Sequence, residues 1–214
     1  DFCLSRGLGD VYKRQVVAVT EDGAPTGERT VVLWEPGFIE GAEGEHGAPV
    51  RYPATAEAAS LMAELLLQGA RTLTFVRSRR AAETVAMRTQ EKLVLAGRAD
   101  FASRVASYRA GYLAEDRRRL ERALDSGELL GVATTNALEL GIDVGGLDAV
   151  VMAGFPGTVA SFRQQAGRAG RRGQGPVAVL VGRDEPMDTH LIHHPQALLG
   201  RPVEHSVFNP ANPF

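Results

Sequence analysis

Short apolar runs alternate with amphipathic stretches along most of the chain. Residues 31–34, 73–76, 105–108, 129–133, 149–152 and 177–181 are compact runs rich in Val, Leu and Ala. Such runs, bounded by polar residues or glycine, are the mark of strands covered on both faces. Between them the period changes to that of a helix. Leu61, Met62, Leu65 and Leu66 share one face of a helix that Thr55 can cap and Gly69 ends. Ala82, Val85, Ala86, Thr89 and Leu93 recur at helical spacing from Ser78, a predicted N-cap, as far as Gly97. An arginine-rich helix is expected over 115–124 and another from about Val159 to Ala169. Strands that alternate with helices in this way predict an α/β fold, a parallel sheet with helices on both faces. The Gly/Glu/Pro-rich stretch 35–53 reads as an exposed loop. Beyond Val181 the period is lost, and Pro186, Pro195, Pro202, Pro210 and Pro213 suggest an irregular connector over 183–214.

Composition sharpens this only in places. The 214 residues, 44% hydrophobic and 23% charged, suit one globular domain and exclude disordered and disulfide-scaffold classes. Cys3, the single cysteine, excludes an internal disulfide and a cysteine-built zinc site. No apolar run approaches the ~20 residues a membrane helix requires, so a cytoplasmic protein with no membrane partner is expected. Residues 1–15 show no period continuous with the rest and resemble translated sequencing adaptor. The domain is therefore expected over 16–182, within a piece of a longer protein. The net charge is −2, so a polyanionic partner has to be held locally. Arginine supplies 22 of the 24 cations, Lys13 and Lys92 being the exceptions. Its planar fork suits phosphate.

In open α/β sheets ligands bind beyond the carboxyl ends of the strands. The turns to inspect are thus 77–80, 109–112, 134–144 and 155–172. The last is the densest in charge. On a helical projection Val159, Phe162 and Ala166 form one stripe, and Gln164, Arg168 and Arg171 the stripe opposite. Glycines between them admit close approach of a ligand or a second surface. Permanently charged forks presented in this way suit the oxygens of a transferring phosphoryl group. His190, His193 and His194 lack cysteine partners and read as surface residues, so no metal site is expected.

Gln164, Gly167, Arg168, Gly170 and Arg171 stand in the pattern Q-x-x-G-R-x-G-R, which resembles motif VI of superfamily 2 helicases. Residues 72–80, 108–112 and 133–144 resemble motifs IV, IVa and V in the same order. The stretch 194–203 is similar to the segment after motif VI in bacterial helicases of the mitomycin repair factor A type, relatives of RecQ4-like repair helicases. The resemblance covers residues 30–214 and implies a RecA-like second lobe. It implies that Arg168 and Arg171 act as arginine fingers on ATP, that Gln164 positions them, and that Gly141 and Asp143 serve the nucleotide side. It assigns Arg77, Ser78, Arg79, Arg109, Gly111, Thr134 and Thr135 to the backbone of a nucleic acid, most readily DNA. Neither a G-x-x-x-x-G-K-[ST] loop nor a D-E-x-[DH] motif occurs in the chain. Mg²⁺ ligands are therefore expected on a first RecA-like lobe, the implied partner, and the chain alone is expected to be inactive. Two other readings stay open: a non-catalytic interaction module that kept the lobe fold, and an RNA helicase lobe.

Overall fold

The computed structural model describes residues 28–108, 114–139, 147–170 and 175–204. Its elements run β1 (Thr30–Trp34), β2 (Phe38–Glu43), β3 (Pro49–Arg51), α1 (Ala54–Leu67), β4 (Thr72–Phe75), α2 (Arg79–Leu95), α3 (Ala99–Ala102) and β5 (Val105–Tyr108). There follow α4 (Ala114–Asp125), β6 (Gly131–Thr134), β7 (Ala149–Ala153), α5 (Val159–Ala166), β8 (Val177–Val181), α6 (Pro186–His193) and α7 (Gln196–Leu199). Among the described residues six strands form one parallel sheet in the order β1-β8-β7-β4-β6-β5.

Alternation along each strand divides the core in two. Val151, Ala153, Val179 and Val181 face α1 and α2, together with Ala58, Met62, Leu66, Val85 and Leu93. Val150, Met152, Ala178 and Leu180 face the other way, toward Phe162 of α5, Leu124 of α4, Leu191 of α6 and Leu198 of α7. Burying each of the larger of these side chains contributes about 1.5–3 kcal/mol, which holds both helix layers to the sheet. α1 crosses close to the start of β6. A Cβ on Gly131 would lie 2.5 Å from Met62 Cε and 3.0 Å from Leu66 Cδ1, so a glycine is what lets the helix sit down there.

The elements of the fold depart from the sequence reading at several points. Stretch 35–53 contains an antiparallel hairpin of β2 and β3, closed by Arg51, which stacks 4.1 Å from the Phe38 ring and pairs with Glu35 at 3.0 Å. Thr55 does not cap α1; Pro53 precedes the first turn and no side chain caps it. The tail is ordered as far as 204, because Pro186 opens α6, where a missing N–H costs nothing, and Leu191 and Leu198 enter the core. Finally, α5 stops at Ala166 instead of Ala169, with Gly167 as its C-cap. No helix among the described residues is long and apolar enough to cross a membrane.

Candidate functional site

β4 and β7 lie side by side, yet their following helices leave on opposite faces, α2 on one and α5 on the other. Loops that part in this way open a crevice at the carboxyl edge of the sheet. A cleft of about 180 Å³ lies there. Val76 and Arg77 line it from the β4 end, Gly154 from the β7 end, Glu139 from the loop after β6, and Ser161 and Gln165 from α5.

The helix α5 enters this cleft under tight control. Thr158 caps it, its hydroxyl accepting from Ser161 N at 3.0 Å. The carboxylate of Glu204 reaches back to accept from Val159 N at 2.7 Å and Ala160 N at 3.0 Å, and Arg163 donates to the Arg201 carbonyl at 2.6 Å. Residues 201–204 thus form a strap across the helix start. The Val159 N–H above all, then the Glu204 and Ala160 N–H groups and the nearby Arg201, hold the Glu204 carboxyl below the usual carboxylate range. A depressed folded-state pKa stabilises the strap above the unfolded value of about 4.3 and loses that contribution as pH falls through the folded value. The amide signals of Val159 and Ala160 are therefore expected to stay constant near neutrality and to titrate together below pH ~4.3. Their titration near neutral pH would show that the carboxylate does not sit on these amides.

Facing the strap, the inner side of α5 is gripped by one residue. Glu139 is 8% exposed; its Oε1 accepts from Ser161 Oγ at 2.7 Å and its Oε2 from Gln165 Nε2 at 3.0 Å. Its main-chain carbonyl accepts from Arg168 Nε at 3.2 Å and from Arg168 Nη2. Arg168 therefore lies beside the loop that begins at Thr134 and Thr135. It reaches there from the turn after α5, not from a continuous helical stripe with Gln164. Gln164 is exposed, and Gln165, 4% exposed, is the glutamine that turns inward.

The remaining expected residues divide. Arg77 and Arg79 are exposed at the start of α2, with Arg77 3.6 Å from Glu185. Ser78 caps α2, accepting from Ala81 N at 3.1 Å. Thr134 is fully buried and donates to the Thr135 carbonyl at 3.0 Å, so of the two threonines only Thr135 reaches the surface. Arg109, Gly111, Gly141, Asp143 and Arg171 lie outside the described residues.

Sequence reasoning missed Glu139 and a second buried carboxylate, Asp188. Asp188 Oδ2 accepts from Phe155 N at 3.1 Å, Arg183 N at 3.0 Å and Arg183 Nε at 3.1 Å, and Oδ1 accepts from Arg183 Nη2 at 2.9 Å. The Arg183 side chain packs over Gly154 and leaves no room for a Cβ, which would sit 2.0 Å from Arg183 Nε; the φ of +97° at Gly154 disfavours any other residue as well. This lock fixes the turn from β7 into α5. The signal available in sequence was faint: Arg183 and Asp188 are five apart in a stretch whose prolines suggested irregularity.

Residues 57–173 match the family model described as helicase conserved C-terminal domain, over half of the chain. The chain belongs to that family. This helicase domain is 42% identical over 185 residues to the ATP-dependent helicase HRQ1 of Saccharomyces cerevisiae, covering 86% of this chain and 17% of the relative. It is 39% identical over 194 residues to the ATP-dependent helicase YprA of Bacillus subtilis, covering 91% of this chain and 25% of the relative. The crystal structure of the DUF1998 helicase MrfA bound to DNA superposes on it with a TM-score of 0.77 and 39% identity, over 85% of this chain and 23% of that one. The helicase domain thus has the RecA-like fold of a superfamily 2 second lobe and spans about a quarter or less of these relatives. Its described residues offer guanidinium groups suited to phosphate, while no three or more His, Cys, Asp or Glu among them gather in a way that could hold a metal ion. Such guanidinium groups suit the phosphates of ATP, the nucleotide of these ATP-dependent helicase relatives.

Proposed function

We propose that this domain is the second lobe of an ATP-dependent DNA helicase acting in repair, completing the ATP site with Arg168 and Arg171 and forming half of a DNA-backbone track. The observation that carries the reading is the place of Arg168, held at the sheet's carboxyl edge against the same loop that presents Thr135. Arg168, on the nucleotide side of this reading, thereby meets the short segment 135–139 that presents Thr135, on its nucleic-acid side. Arg168 would stabilise charge developing on the γ-phosphoryl oxygens, with Arg171 as a second finger and Gln164, Gly141 and Asp143 in support. Arg77, Arg79, Thr135 and the first amides of α2, with Ser78 capping them, would hold phosphates, joined by Arg109, Gly111 and the Thr134 main chain. Such contacts position a strand without reading its bases, so binding weakens steeply with salt. MrfA was crystallised on DNA, which supports DNA over RNA.

The test joins the domain to a first lobe that carries a phosphate loop and a D-E-x-[DH] motif. The two-lobe protein is expected to hydrolyse ATP with stimulation by single-stranded DNA, and the isolated domain to be inert. A folded two-lobe protein that binds DNA but does not hydrolyse ATP would replace this reading with that of an interaction module.

A further inference from the structure

Ser161, Gln165 and Arg168 are spaced i, i+4 and i+7, so one face of α5 and its C-terminal turn presents all three together. A single residue receives them. The Glu139 carboxylate takes the first two and its carbonyl takes the third. Glu139 is itself tied back, its N–H donating to the Asn136 carbonyl at 3.0 Å to close the short 3₁₀ turn Asn136–Leu138 that Thr135 opens. From Thr135 to the Arg168 guanidinium the path runs through four residues of one tight turn and one side-chain grip.

On the reading of Arg168 as a finger toward ATP, we propose that Glu139 is its positioning residue and the joint through which DNA at Thr135 acts on ATP hydrolysis. A carboxylate buried to 8% exposure is costly unless its oxygens are occupied, and here both are occupied by α5. Helix and loop therefore move as one body. Any shift of the Thr135 turn on binding a phosphate carries the Glu139 carbonyl, and with it the guanidinium. Removing the carboxylate releases α5 from two of its contacts with the loop and leaves the carbonyl as the hold on Arg168, without touching ATP or DNA. A misplacement of about 1 Å at a reacting centre costs on the order of 100-fold in rate.

The experiment is a double-mutant cycle in the two-lobe enzyme, using Glu139→Ala, Glu139→Gln, Arg168→Ala and the Glu139→Ala/Arg168→Ala pair. Each is read by DNA-stimulated kcat, KM for ATP and Kd for single-stranded DNA. Glu139→Ala is expected to lower stimulated kcat by about 10- to 100-fold while KM and Kd change less than about threefold. Glu139→Gln, whose amide can pair with Ser161 and with a reversed Gln165 amide, is expected to recover most of the rate. In the Arg168→Ala background the further loss from Glu139→Ala should fall below about threefold, because the group it positions is gone. Losses that multiply in full, or a Glu139→Ala enzyme with normal stimulation beside a crippled Arg168→Ala enzyme, overturn the role of Glu139 alone. An Arg168→Ala enzyme with normal kcat overturns the finger assignment on which it rests. If Glu139→Ala does not fold, Gln165→Ala, which removes one of the two carboxylate contacts, takes its place in the same cycle.

Discussion

Arg168→Ala in the two-lobe enzyme is expected to lower the kcat for ATP hydrolysis by about 10³-fold, close to 4 kcal/mol of transition-state stabilisation. The loss should appear in kcat and kcat/KM alike, with DNA affinity nearly unchanged, since a finger acts on charge that develops only during phosphoryl transfer. Arg168→Lys is expected to restore little. Two N–H groups of the guanidinium are committed to the Glu139 carbonyl, and a lysine ammonium on a flexible stem cannot hold that carbonyl and reach phosphate at a fixed angle. Steady-state ATPase kinetics with saturating DNA measure this directly. A kcat within threefold of the parent would remove Arg168 from the nucleotide side and leave the Glu139 contact a purely structural one.

The second large effect is on stability. Asp188→Ala is expected to destabilise the fold by about 3–5 kcal/mol, because it strands the largely buried Arg183 guanidinium and orphans the Phe155 and Arg183 amides together. Asp188 is fully buried, so water cannot substitute without opening the turn between β7 and α5. Urea denaturation followed by circular dichroism gives the value. A cost under about 1 kcal/mol would mean that these bonds do not hold the turn. Because that turn aims α5, partial activity loss at temperatures where the variant stays folded is also expected.

Much of the fold was legible because each strand is a local apolar run and each long helix carries a local apolar stripe. Ser78 declared itself as a cap, since the pattern needed only a polar side chain three residues before the amide it accepts from. The motif VI arginines stood out for the same reason, four of them between 163 and 172 with no acid among them. What failed were inferences that carried a local rule too far. Extending the helix to Ala169 put Gln164 and Arg168 on one stripe, whereas Gly167 ends the helix and the inward glutamine is Gln165. Reading prolines as breakers hid α6, where Pro186 occupies a position that needs no N–H. Pairing Thr134 with Thr135 as surface hydroxyls overlooked that Thr134 is the last residue of β6, a strand buried at every position, whereas Thr135 lies past its end.

The sequence by itself determined the layered α/β order and which turns carry cations, since both depend on near neighbours and on the chemistry of single residues. The tertiary structure alone decided which of those residues act on one another. Glu139 meets Gln165 across 26 positions and Glu204 meets Val159 across 45. Asp188 meets Phe155 across 33. A carboxylate's partner is chosen by where the sheet brings two distant turns together, and no periodicity along the chain encodes that distance.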